Sequence, residues 1–235
     1  MTEVRKRAAG WAVHIYTALG SVIGLFALLA AARGNAKEAF LWLGAALAID
    51  ASDGAFARLA RVKEIVPEYD GSLLDNIVDY LNFVIVPVFL MLQIGLLAGP
   101  WGYVTGGAAL LASAYRFCHV DAKTNDHFFT GFPSYWNILA FYLYIFDADP
   151  TITAAITGVL ALMVFAPLRF IYPSRTEVLR PVTLSLGLVW SIMGIITLLA
   201  LPERLTTLAA ISTFYPVYYT VLSFYLQIRG RQNPA

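Results

Sequence analysis

Charge is what this chain has least of. Charged residues fill 13% of 235 positions and hydrophobic ones 59%, where soluble domains carry roughly 25% charged residues. Mean hydropathy is +0.69, which excludes an ordinary soluble domain and implies a membrane protein. A formal net charge of +1 leaves no electrostatic footprint for nucleic acid. The single cysteine, Cys118, excludes an internal disulfide framework and a multi-cysteine zinc site. No repeat, low-complexity tract or linker divides the chain, so residues 1–235 read as one helical membrane domain. Residues 1–10 are expected as an amphipathic or irregular segment at the cytoplasmic interface. The first apolar run is too long for a cleavable signal peptide and lacks a small-residue cleavage site, so it is expected to stay as a span.

What is abundant is apolar run length. A membrane-spanning helix needs about 20 mostly apolar residues, and eight stretches qualify: about 11–32, 39–60, 72–97, 100–118, 131–147, 151–168, 182–201 and 205–228. Two alternatives stay open: the fourth is short and tilted, or the fifth is re-entrant. Pro133 has to lie in the first turn of the fifth or outside it, and Pro216 predicts a kink in the eighth. The basic residues support this count. With the N-terminus inside, thirteen of the sixteen lie on cytoplasmic segments, among them Arg5, Lys6, Arg7, Arg58, Arg61 and Lys63. Only Arg33, Lys37 and Arg204 fall outside. The expected fold class is therefore an all-α integral membrane protein with about eight transmembrane helices and both termini cytoplasmic.

Against that background one stretch stands out. Asp50 and Asp53 are three residues apart, Asp75 and Asp79 four apart, and each pair sits in apolar sequence. On helices both spacings put two side chains on one face, so two helices joined by a short loop can aim four carboxylates at one point. An Asp at the centre of a membrane helix costs about 2.5–3.5 kcal/mol on insertion scales, and divalent cations are the obvious compensation. Oxygen donors without a His or Cys cluster suit Mg2+ or Mn2+ and argue against zinc. Two such ions about 3.5–4 Å apart clamp attacking and leaving oxygens in phosphoryl transfer. Gly54 and Gly71 leave room for a bulky anionic substrate to approach the backbone, and Arg58 suits bidentate phosphate binding. The competing reading is a set of carboxylates lining the ion or proton path of a transporter; the interleaved Gly and Arg make the cation–phosphate site the more specific one.

The arrangement D-x2-D-G-x2-A-R, a spacer, then G-x3-D-x3-D resembles the signature of the CDP-alcohol phosphotransferase family. Asp50, Asp53, Gly54, Ala57, Arg58, Gly71, Asp75 and Asp79 meet every fixed position. The spacer from Arg58 to Gly71 is twelve residues, longer than in most members, and is similar to the bacterial branch that uses choline as acceptor, as are the chain length and the eight spans. The resemblance implies a dinuclear Mn2+ or Mg2+ site on Asp50, Asp53, Asp75 and Asp79, with Asp79 as the base for the incoming alcohol. Gly54, Ala57, Arg58 and Gly71 would line the CDP pocket. The implied reaction moves a phosphatidyl group from CDP-diacylglycerol to choline and releases CMP, in the bacterial inner membrane, with the site facing the cytoplasm. A homodimer is expected by the same resemblance. The alternatives are another acceptor within the family, serine-like, or an ion-coupled transporter.

Further candidates follow. His14 and Thr17, in the first span, match positions that lie near the nucleotide in relatives; a histidine resting at the membrane interface is the competing reading for His14. The A-Y-R-F and F-x-G-F-P-S fragments are similar to segments bordering the substrate site in serine-using members, which brings in Arg116, Gly131, Pro133 and Ser134. Arg169, Tyr172, Ser174 and Arg175 form a basic turn suited to lipid phosphate or acceptor, or to anchoring on anionic headgroups of membrane lipids. His119 and His127 read as solvated loop residues before metal ligands. A quaternary ammonium is held by aromatic faces, for which Tyr80, Tyr115, Tyr135 and Trp136 are the candidates. Ser52 and Ser72 flank the carboxylates without a base of their own, which favours direct transfer over a covalent intermediate.

Overall fold

The computed structural model describes residues 2–119, 128–173 and 175–232. It contains eleven α-helices, one π-helical turn and two short strands among those residues, in two compact units, Met1–Ile94 and Gly95–Ala235.

The first unit is built on α1 (Glu3–Ala32). Its buried positions are Gly10, His14, Thr17, Gly20, Gly24, Ala27, Ala30 and Ala31, a stripe at three- and four-residue spacing made almost wholly of small residues. Helices in an apolar solvent gain little from apolar burial and associate by close packing of such faces. The closeness is visible atom by atom. A Cβ on Gly20 would fall 2.5 Å from Val78 Cγ1, and one on Gly10 2.7 Å from Val66 Cγ2. Gly34, at φ +69°, turns the chain into α2 (Ala36–Leu59), whose N-cap Asn35 accepts from the Glu38 amide. The helix is continuous from Glu3, so Glu3–Gly10 forms its first two turns.

The twelve-residue spacer is not an open loop. After Arg61 at φ +48° it forms a short helix, α3 (Val62–Ile65). Val66 packs fully buried against Gly10, while Arg7 donates to the Ile65 carbonyl and pairs with Glu68. Asp70 then caps α4 (Gly71–Tyr80), accepting from Ser72 and Leu73 amides at 3.0 Å. A π turn over Leu81–Ile85 joins α4 to α5 (Val86–Gln93). Pro87, near the start of α5, has no amide for a regular i−4 bond, and the widened turn absorbs the mismatch.

In the second unit α6 (Gly99–Cys118) packs on α8 (Pro150–Met163), with Thr105 against Gly158; the buried positions include Gly102, Gly106, Ala109 and Ala112 on α6 and Thr153, Ala154, Thr157 and Ala161 on α8. Between them lie β1 (Phe128–Thr130) and α7 (Trp136–Ile145). After α8 comes β2 (Arg169–Ile171), which pairs antiparallel with β1 in the register Phe129 to Phe170. This two-stranded ribbon departs from the all-α expectation. Its free edge is covered by α11 (Phe214–Gln232): the Arg169 amide donates to Gln227, the Ile171 amide to Ser223, and Tyr219 donates to the Ile171 carbonyl. An unpaired edge is otherwise a liability. α9 (Arg180–Ala200) and α10 (Thr206–Ser212) complete the unit, and the eighth apolar stretch breaks at Thr213, three residues before Pro216.

By length and composition, four helical stretches among the described residues can cross a membrane: Glu3–Ala32, Ala36–Leu59, Gly71–Gln93 and Arg180–Ala200. Trp136–Ile145 and Pro150–Met163 are apolar but shorter, and Pro133 lies ahead of its helix.

Candidate metal and nucleotide site

The first unit brings three of the four motif carboxylates together. Oxygens of Asp50, at the third turn from the end of α2, and of Asp75 and Asp79, one turn apart on α4, lie within 4.8 Å of one another, all half-buried. Three like charges at that separation are unfavourable unless a cation or protons compensate. Hard oxygen donors at this spacing fit a divalent cation such as Mg2+ or Mn2+, so the residues present suit the metals the motif implies.

Asp53 takes a different position. It is 7% exposed, and its Oδ2 accepts a hydrogen bond of 2.9 Å from Thr17 Oγ1 on α1. One residue earlier, Ser52 Oγ donates to the Ala48 carbonyl at 2.8 Å and lies 2.8 Å from the Tyr16 hydroxyl. Ser52 Oγ is also within 3.0 Å of the Ile49 carbonyl. Ser52 is thereby engaged by its own helix and by Tyr16.

The motif's glycines and arginine lie on the same helices. A Cβ on Gly54 would lie in ordinary contact, 3.4 Å, with Nη1 of the exposed Arg58 guanidinium one turn on, at the end of α2. Ala57 is half-buried beside it. Gly71 opens α4, and the space its Cβ would take is filled by His14: Cε1 would be 2.7 Å away. The imidazole is buried, with Tyr69 at 4.5 Å and Trp11 at 5.8 Å between ring centroids, and its Nε2 has no hydrogen-bond partner. Here a histidine is a built component of the corner between α1 and α4.

The remaining candidates lie in the second unit, apart from Tyr80, which is half-buried next to Asp79. Ser134 (1% exposed, φ +60°) donates to Ser113 Oγ, and the fully buried Trp136 donates Nε1 to the same oxygen. Gly131, at φ +76°, passes so close to α8 that a Cβ would sit 2.0 Å from the Val164 carbonyl oxygen. Its amide donates to Leu168 and that of Phe132 to Met163. Pro133 follows, half-buried. These residues shape a tight turn onto α8. Arg116 is half-buried near the end of α6; Tyr115 is exposed, its ring near His119 and Phe165. Tyr135 lies 6.3 Å from Tyr219. Arg169 stacks over Phe128 at 4.5 Å, and the Tyr172 ring lies near Phe129. Arg175 is half-buried with Nε lacking a partner. Ser174 and His127 lie outside the described residues.

Reading the sequence did not single out Tyr16 or Asn82. Asn82 is 1% exposed, and its Nδ2 donates at 3.0 Å to the Gly20 carbonyl of α1 and to Val78. The available hint was an amide three residues beyond Asp79 in an apolar run, opposite the small pair Gly20 and Gly24.

Residues 14–166 match the CDP-alcohol phosphatidyltransferase family. The chain is 36% identical over 218 residues to a phosphatidylcholine synthase of Rhizobium meliloti, covering 93% of this chain and 90% of the relative. It is 38% identical over 224 residues to one of Legionella pneumophila, covering 92% and 88%. With one of Borreliella burgdorferi it shares 34% over 228 residues, covering 95% and 96%.

Proposed function

The chain belongs to the CDP-alcohol phosphatidyltransferase family, and we propose on that premise that it is a phosphatidylcholine synthase: it transfers the phosphatidyl group of CDP-diacylglycerol to choline, giving phosphatidylcholine and CMP. The observation that carries this reading is similarity to phosphatidylcholine synthases over nearly the whole chain, together with the clustered carboxylates of Asp50, Asp75 and Asp79.

In this account Asp50, Asp53, Asp75 and Asp79 hold two divalent cations, Mn2+ or Mg2+. Bound there, the ions supply neutralisation of the diphosphate and of charge developing on the transferred phosphoryl group. Arg58 takes a phosphate oxygen with its exposed fork of donors, while Gly54, Ala57 and Gly71 keep the nucleotide close to the backbone. His14 offers its unpartnered Nε2 to the nucleotide. Asp79 accepts the hydroxyl proton as the choline oxygen bonds to the β-phosphorus and the bond to CMP breaks. Direct displacement needs no protein nucleophile, in line with the engaged hydroxyl of Ser52. Choline's trimethylammonium group goes to aromatic faces, for which Tyr80, Tyr115, Tyr135 and Trp136 are the candidates.

The family match spans both compact units, which supports a single functional domain over residues 1–235. Eight spans, cytoplasmic termini and a cytoplasm-facing site, resting on the distribution of Lys and Arg, and an inner-membrane location and a homodimer, resting on the family resemblance, complete the proposal. Arg116, Arg169, Tyr172 and Arg175 are assigned to lipid phosphate or acceptor.

The test is Asp79→Asn in purified protein supplied with CDP-diacylglycerol, Mn2+ and choline. CMP release should collapse while CDP binding persists. Undiminished turnover removes Asp79 from the mechanism, and no CMP release from the unsubstituted protein would favour an ion-coupled transporter.

A further inference from the structure

One turn of α1 reaches both carboxylate-bearing helices. Tyr16 and Thr17 hydrogen-bond to Ser52 and Asp53 of α2, and three residues on, the Gly20 carbonyl accepts from Asn82, immediately beyond α4. Asp75, Asp79 and Asn82 follow at four- and three-residue spacing, so the amide stands on the same helical stripe as two of the clustered carboxylates. The glycines opposite are shaped to it: a Cβ on Gly24 would lie 2.8 Å from Asn82 Oδ1, and one on Gly20 2.5 Å from Val78 Cγ1.

Asn82 is a poor choice if stability were its only role. Its Oδ1 is buried without a partner, which is a cost that an apolar side chain of similar size avoids. What a buried amide supplies in an apolar interior is register, because only one alignment of the helices satisfies its donor. The π turn at Leu81–Ile85 places this amide, and such turns are frequent at functional sites. Thr17 does the same for α2 by gripping a motif carboxylate directly.

We infer that Thr17 and Asn82 are positioning residues, a two-sided clamp by which α1 fixes the separation and rotation of α2 and α4 and so holds Asp50, Asp75 and Asp79 at cation-binding distance. The inference rests on the proposed metal-assisted transfer. Carboxylates held this close repel one another when empty, and a clamp that resists their splaying raises cation affinity. Outer residues that orient metal ligands are worth about 10- to 100-fold in affinity.

The experiment measures Mn2+ affinity of the purified full-length protein by calorimetry, with CDP affinity at saturating Mn2+ as a second readout. Thr17→Val removes the hydroxyl at constant shape, Thr17→Ser keeps it, and Asn82→Leu removes the amide. Tyr142→Phe is the control for a merely structural loss, since among the described residues that hydroxyl bonds Ser212 and Trp190, both in the second unit. Thr17→Val and Asn82→Leu should weaken Mn2+ binding by about 10- to 100-fold, while Thr17→Ser and Tyr142→Phe stay near the unsubstituted value. If Asn82→Leu does not fold, the Thr17 pair decides. Unchanged Mn2+ affinity in folded Thr17→Val overturns the clamp and leaves the metal site standing. A loss confined to CDP affinity also overturns it and makes Thr17 a nucleotide contact. Absence of Mn2+ binding in the unsubstituted protein overturns the metal reading itself, and the clamp with it.

Discussion

Gly71→Ala sets two effects of opposite sign against each other at the edge of the site. Replacing a helical glycine by alanine ordinarily gains about 0.5–1 kcal/mol by restricting the unfolded chain, and less at the first position of a helix such as α4. Against this, the new Cβ would lie 2.7 Å from His14 Cε1 and 3.2 Å from Nδ1. The imidazole must retreat by roughly 1 Å to reach ordinary contact distance, yet it is buried, with Trp11 and Tyr69 against it. Overpacking of this kind costs about 1–3 kcal/mol, so the clash wins and the net loss is about 1–2 kcal/mol. For a chain of this length each kcal/mol corresponds to about 2–4 °C in Tm. The assay is thermal unfolding of four proteins in one detergent: unsubstituted, Gly71→Ala, His14→Ala and the double variant. Once the ring is gone the alanine is accommodated, so the cycle should show a coupling of about 1–3 kcal/mol in favour of the double variant. Additive effects, or a Gly71→Ala protein more stable than the parent, would refute the packing argument.

Gly131→Ala should be far more severe, because the obstacle is the Val164 backbone carbonyl at 2.0 Å and φ is +76°. A loss of at least about 4 kcal/mol is expected, judged against Gly107→Ala, where no atom lies within 4 Å; equal Tm values would contradict it. Asp149 caps α8, and its carboxyl is held below the ordinary range by the Thr151 amide, which donates at 2.7 Å. A depressed native pKa gives stability that is present above the unfolded value of about 4 and lost as pH falls through the native one. Asp149→Asn, which still caps but cannot ionise, should therefore lose less stability on acidification than the parent; parallel pH curves would count against the cap.

Part of the carboxylate cluster was legible in the sequence because helical periodicity is local: a spacing of four puts Asp75 with Asp79 whatever the tertiary fold, whereas Asp53, three residues from Asp50, turns to Thr17 of α1 instead of joining Asp50. The first span entered through His14 and Thr17; what could not be read was which residues of the other helices it grips. Thr17 to Asp53 and Asn82 to Gly20 join residues 36 and 62 apart, and nothing in either segment names its partner. The glycines of α1 signal close packing without saying against what. The ribbon was hidden for another reason. Strands of three residues, Phe128–Thr130 and Arg169–Ile171, are too short to show alternation, and the side chains that cover the free edge come from α11. The spacer read as connection, whereas Val66 and Arg7 turn it into part of the packing around α1. Pro216 was expected to kink a helix; standing third in α11 it falls where proline is tolerated, and the break comes ahead of it at Thr213.

The most direct test of the account is CMP release from CDP-diacylglycerol by the purified protein with Mn2+, across choline, serine, inositol and glycerol phosphate as acceptors. Choline-dependent release with phosphatidylcholine as the lipid product, abolished by chelation of the metal, is the predicted result. Release driven by serine, inositol or glycerol phosphate but not by choline would contradict it.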